Sequence, residues 1–327
     1  MLILVVGALL CFFYICNTSD LTIPMLYLLL SILASTSLVF IFKLFQRYNV
    51  HTFQAIVMNY LTCVLVGFLF SGGSNAVQPA VLEQSWVLYA LVLGTIFIGT
   101  FYLIALTTHS VGVTAASVAT KISLVIPVLF SLLVLKNSLK DYTFVNYTGM
   151  FAALVAIVLS SIRPRNHEGE GSTSPILAFL LPFIIFLNSG VADSLINYTN
   201  QYHLQQKEAS QFTMLTFSAS AMVGLLVLLY LLLSGKTTFY RKSILAGILL
   251  GIPNYFSIYF LIKALSAFGN DGAFLYPVNN IGIILAGALG AVIFFNEKLT
   301  KVNLIGLGMA VLALILISYQ EIVANLF

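Results

Sequence analysis

Three places in this chain set polar or charged side chains inside apolar sequence. Lys121 lies midway along Val113–Leu135, within Ser117-Val118-Ala119-Thr120-Lys121-Ile122-Ser123. A charge at bilayer centre costs at least ~2.5–3.5 kcal/mol on insertion scales, so such a residue defaults to a functional assignment. Facing a cavity, its ammonium would hold an anionic group of a substrate. The plainer alternative is a structural ion pair or a cap on helix carbonyls. Asp193 is an acid well inside the run Ser174–Thr199, among Asn188, Ser189, Ser194 and Asn197. Asn188, Ala192 or Asp193, and Asn197 recur at roughly helical spacing, which would align them in one stripe. Asp193 would bind an amine, exchange a proton or neutralise Lys121. Its bland alternative is a place near the membrane boundary, because Asn197, Asn200 and Gln201 look wet.

The third place is Tyr276, Pro277, Asn279 and Asn280, four chemically active or helix-breaking residues within five positions. Pro277 removes one helical hydrogen bond, and the freed carbonyl must find a partner or line a cavity. Ordinary interhelical glue is the competing account of the two asparagines. Pro253 and Asn254 form a similar pair upstream, read as a kink or hinge carrying a polar side chain. Pro127 and Pro182 read as kinks too. Lys263 reads as a side chain snorkelling to the headgroups.

The elements that must position these residues are apolar runs. Of the 327 residues, 60% are hydrophobic and 7% charged, with a mean hydropathy of +1.05. Ordinary soluble domains carry about 25% charged residues, so this composition is that of a multi-pass membrane protein of the inner or plasma membrane. A transmembrane barrel would show alternating segments of about ten residues, and the sequence has none. The spacing predicts ten spans: Pro24–Phe45, Thr52–Ser71, Ser85–Thr108, Val113–Leu135, Thr143–Ile162, Ser174–Thr199, Ser210–Leu233, Ser243–Ala267, Ala273–Phe295 and Val302–Tyr319. Residues 1–23 hold a short apolar stretch, Met1–Cys16, which reads as signal-like, as an extra span or as an over-extended start. The polar stretch 163–174 is a linker. It divides the chain into a first five-helix unit, 24–162, and a second, 175–322.

The two units resemble each other. A shift of 157 pairs Gln54 with Gln211 and Gly67 with Gly224, and a shift of 160 pairs Gly112 with Gly272, Val118 with Val278 and Leu139 with Leu299. Under the second shift Asn280 falls opposite Thr120, beside Lys121. An odd number of spans per unit inverts the second copy, a plan common among secondary transporters. Lys and Arg favour cytoplasmic loops. One side collects Lys43, Arg47, Arg163, Arg165, Lys236, Arg241, Lys242, Lys298 and Lys301, and the other Lys136, Lys140 and Lys207. That count places both ends of the ten-helix core outside.

With FYLI-AL at Phe101–Leu106, YFLIKAL at Tyr259–Leu265, and Asn296-Glu297-Lys298-Leu299-Thr300 followed by Gly306 and Gly308, the chain resembles the drug/metabolite transporter (DMT) superfamily, in particular its EamA-type ten-helix members. The first half departs from the pattern, with Lys136-Asn137-Ser138-Leu139-Lys140 where the acidic corner would stand. The resemblance implies small-molecule transport through a central cavity between the halves, with both termini in the cytoplasm, against the charge count.

Other chemistries find no footing. The net charge of +4 is spread over short loops, without the basic stripe of a nucleic-acid binder. Cys11, Cys16 and Cys63 form no metal or redox spacing, and the four histidines no paired-ligand spacing. A phosphate-binding Gly-rich loop is absent, and no cofactor is expected. The expectation is therefore an all-α secondary transporter, not an enzyme, acting as monomer or homodimer. It would move a small polar metabolite, amino-acid-like or otherwise anionic or zwitterionic, with protons as a possible coupling ion. Lys121, Asp193, Tyr276, Asn279, Asn280 and Asn254 would bind the substrate, and Pro253 and Pro277 would act as hinges. The alternatives are a membrane-embedded enzyme and a non-transporting scaffold.

Overall fold

Backbone groups in hydrocarbon have no water to bond, so a spanning chain satisfies them within helices. The computed structural model follows that rule, with no strand among the described residues, which are 22–73, 79–110, 113–136, 141–161, 175–295 and 300–320. The helices are α1 (Thr22–Arg47), α2 (Thr52–Phe70), the single turn α3 (Pro79–Leu82), α4 (Val87–Ser110), α5 (Val113–Ile122) and α6 (Val125–Phe130), which runs into a π turn at Ser131–Leu135. There follow α7 (Phe144–Ser161), α8 (Pro175–Tyr202), α9 (Ala209–Leu233), α10 (Arg241–Ala267), α11 (Gly272–Phe295) and α12 (Lys301–Ile317). Seven of these, α1, α2, α4, α8, α9, α10 and α11, are long and apolar enough to cross a bilayer. Shorter apolar helical stretches cover Ala119–Leu135, Phe144–Leu159 and Lys301–Ile317. The N-terminal segment and the Asn296–Leu299 part of the last corner lie outside the described residues.

Caps set the helix ends. His51 Nδ1 accepts from the Gln54 amide at the start of α2. Thr300 and Asn303 cap α12 reciprocally, the Thr300 side chain accepting from the Asn303 amide and the Asn303 side chain accepting from the Thr300 amide. Asp271 caps α11, its Oδ1 accepting from the Phe274 amide at 3.1 Å, a favourable place for an acid.

Small residues let the helices meet closely, the usual device where lipid offers no hydrophobic drive between helices. α10 lies on α1 and α2, with Gly251 against Thr62 and the Asn59 carbonyl. α9 packs on α2 and α4; at the second crossing Gly94 meets the Thr216 backbone and its carbonyl accepts from Ser220 Oγ at 2.8 Å. α12 runs along α7, tied by Asn146 Nδ2 donating to the Ile317 carbonyl at 2.9 Å. α8 touches α4, α5 and α6, while α11 leans on α1, where Gly282 faces Ile32 and Gly290 faces Phe40. The main core draws on helices from both ends of the sequence, Leu28, Leu93 and Ile157 packing with Ile196, Leu265 and Leu285. Outward faces stay apolar, as at Leu33, Leu65, Phe151, Phe179, Leu226 and Leu245. That combination of a packed interior and an apolar exterior suits lipid.

Candidate functional site

The run Val113–Leu135 is not one helix. α5 stops at Ile122, the chain turns at Ser123–Leu124, and α6 begins at Val125. Pro127 supplies the reason. It has no N–H for the carbonyl four residues back, that of Ser123, and it crowds that carbonyl. The Ser123 carbonyl accepts instead from the Ile126 amide at 3.0 Å, a tighter turn. Ser123 Oγ folds back onto the Thr120 carbonyl at 2.7 Å. Lys121 therefore sits in the last turn of a half-helix, where the negative end of the dipole favours a cation. Pro253 and Pro277 behave differently: α10 and α11 run through them without a break.

Asp193 lies on α8, which packs against both α5 and α6. Lys121 and Asp193 are within electrostatic reach of one another but do not close to a contact ion pair. Both are deep in the bundle, yet each keeps part of its surface accessible. α11 completes the group. Tyr276, almost fully buried, donates from its hydroxyl to the Asp193 backbone carbonyl at 2.6 Å. Asn280 Nδ2 bonds the Tyr276 carbonyl at 3.0 Å. Asn279 is buried with its Oδ1 unpartnered.

Asn197 lies one turn beyond Asp193 on α8. It is fully buried, it abuts Gly272 at the start of α11, and neither end of its amide has a partner. A buried polar group left so costs about 1–3 kcal/mol. Asn200 is also buried, donating to Asn270 Oδ1 at 2.6 Å and accepting from Ser266 Oγ at 3.1 Å. Asp193 thus does not belong to a wet helix end: the asparagines that suggested one are inside. Asn146, on α7, is fully buried as well.

Lys121, Asp193 and Tyr276 are brought together in this way, while the Asn280 bond stays within α11. Asn254 is not joined to them by any hydrogen bond among the described residues. Its Nδ2 donates to Asn59 Oδ1 across the α2–α10 crossing at 3.1 Å, near Cys63, whose Sγ bonds the Gly251 carbonyl at 3.2 Å. Lys263, at the end of α10, donates to the Gln206 carbonyl at 2.6 Å. Among the described residues no cluster of His, Cys, Asp or Glu could hold a metal.

These features define an all-helical, multi-pass membrane protein with a polar, oppositely charged group set between its helices. No family model matches the chain. A curated relative, an uncharacterised protein of Haemophilus influenzae, is 23% identical over 299 residues, covering 90% of this chain and 98% of its own length. A solved crystal structure superposes with a TM-score of 0.66 at 16% identity, over 91% of this chain and 97% of that one. The second likeness is one of fold alone.

Proposed function

We propose that the protein is a secondary transporter for a small polar metabolite of zwitterionic or anionic character, of the EamA type within the drug/metabolite transporter superfamily. The carrying observation is the placement of Lys121 and Asp193. They are opposite charges on helices from different halves of the sequence, within electrostatic reach but unpaired by contact. Lys121 holds a carboxylate or phosphate. Asp193 takes an amine or a proton, and Asn279, Asn280 and Tyr276 supply hydrogen bonds. A broken helix at such a site fits the reading, because transporters often build substrate sites where a spanning helix is interrupted.

The packing supports two like five-helix units. Exchange the halves, so that α1, α2, α4, α5–α6 and α7 trade places with α8, α9, α10, α11 and α12. The pair α2·α10 then becomes α9·α4, α1·α10 becomes α8·α4, and α11·α1 becomes α5–α6·α8. All of these pairs occur. The pairs α2·α9 and α7·α12 map onto themselves and also occur.

The test is uptake of labelled amino acids and organic phosphates into proteoliposomes holding the wild type or Lys121→Ala. Uptake of one chemical class, lost in the variant, is expected. Uptake unchanged by Lys121→Ala would remove Lys121 from the site, and failure of every class would overturn the transport reading.

A further inference from the structure

A second site lies away from Lys121, at the lateral seam between α2 and α9. Leu61, Val64, Leu65 and Phe68 form one stripe of α2, at the spacing of a single helix face. Across from them stand Met214, Leu215 and Ser218 of α9, and Val81 and Leu82 of α3 also line the trough. The trough encloses about 430 Å³. It opens outward, for Leu65 and Leu82 are largely exposed. From Leu61 to Phe68 it runs about 10 Å, roughly two-thirds of one leaflet's hydrocarbon depth.

At its end the lining changes character. Gln211 belongs both to the trough and to a polar cavity of about 320 Å³ formed with Phe70, Ser71, Ser210, Lys207 and Glu208. Ser71 and Ser210 share a hydrogen bond at 2.8 Å. Glu208 Oε2 is engaged by the Gln205 amide at 3.0 Å. The exposed Lys207 ammonium has no partner among the described residues. Nearby in sequence, at the end of α8, Tyr198 and His203 gather around Tyr89, with ring centroids 5.7 and 4.7 Å away. Tyrosines at helix ends mark the headgroup level of a membrane.

We infer that this amphipathic cleft is a specific site for a membrane phospholipid, one acyl chain lying in the α2–α9 trough and the phosphodiester held by Lys207. The apolar part opens on the bilayer, the polar part carries a free cation, and the two meet at Gln211. α2 and α9 come from different halves of the chain, so the lipid bridges the halves at one membrane face. The inference needs only the membrane-spanning fold and stands or falls apart from the transport reading.

The test uses the full chain in mild detergent, melted with and without phosphatidylglycerol and followed by native mass spectrometry. Wild type is expected to retain one phosphatidylglycerol per chain and to melt higher with it, because a ligand bound only to the folded state stabilises it. Lys207→Glu should weaken binding about tenfold or more, the loss of a charge-assisted contact. Ser218→Phe, which fills the trough, should abolish retention while its lipid-free melt stays cooperative. Should Lys207→Glu fail to fold, Lys207→Gln makes the same comparison. Equal retention by wild type and both variants would reduce the lipid to a non-specific annulus and overturn the site. An equal shift from diacylglycerol would remove the role of Lys207, and an equal shift from soluble glycerol phosphate would make the cleft a free-phosphate site; either overturns the inference.

Discussion

Replacing Lys121 or Asp193 removes one member of an opposed pair inside the bundle and leaves the other without its counter-charge. Two unit charges 4 Å apart at an effective dielectric of about 20 attract by about 4 kcal/mol. Lys121 and Asp193 do not reach contact, and each keeps some accessible surface. Solvent screening lowers the figure further, so the expected coupling is about 1–3 kcal/mol. A double-mutant cycle measures it: wild type, Lys121→Met, Asp193→Asn and the double variant, compared by denaturant or thermal unfolding in one detergent. Each single variant should lose stability, and the double should lose less than the sum of the singles. Distant sites add to within about 0.5 kcal/mol. Additivity within that limit would show that the two charges ignore one another, and the placement argument for the site would fail.

Two further outcomes concern the scaffold. A Cβ on Gly94 would meet the Thr216 carbonyl oxygen, with Ala219 Cβ at 2.6 Å and Ser220 N at 3.1 Å. Gly94→Ala should therefore cost at least about 1–3 kcal/mol by overpacking, whereas Gly99→Ala, with nothing within 4 Å, should leave the melting temperature unchanged or slightly raised. Asp271→Ala removes the α11 cap and both contacts from Tyr142 Oη, each 2.9 Å. A loss of at least about 2 kcal/mol is expected, read from the melting curve; a loss below 0.5 kcal/mol would mean that this corner does not anchor α11.

Hydropathy outlined the long apolar helices of the bundle, because lipid admits few other backbone states, but it drew Val113–Leu135 as one span where the structure has α5, α6 and a π turn. Lys121 and Asp193 were legible for the same reason, being charges in apolar runs. Asn197 read either as part of a stripe with Asp193 or as wet; it is buried against Gly272, a fact of packing between α8 and α11. Asn254 looked equivalent to Asn280 in sequence, yet one turns to Asn59 on α2 and the other to its own helix at Tyr276. Four prolines, Pro127, Pro182, Pro253 and Pro277, looked alike as kinks or hinges. Of these, only Pro127 breaks its helix, where the residues following Lys121 turn; α8, α10 and α11 continue through theirs.

The sequence by itself determined that this chain lives in a membrane as helices, since composition sets the solvent and the solvent sets the secondary structure. Tertiary structure decided which polar residues meet. Lys121, Asp193 and Tyr276 lie on three helices separated by 72 and 83 positions, and local spacing cannot fix the rotation of one helix against another. That rotation is set by where small residues let the helices close, and it turns three isolated polar residues into one group.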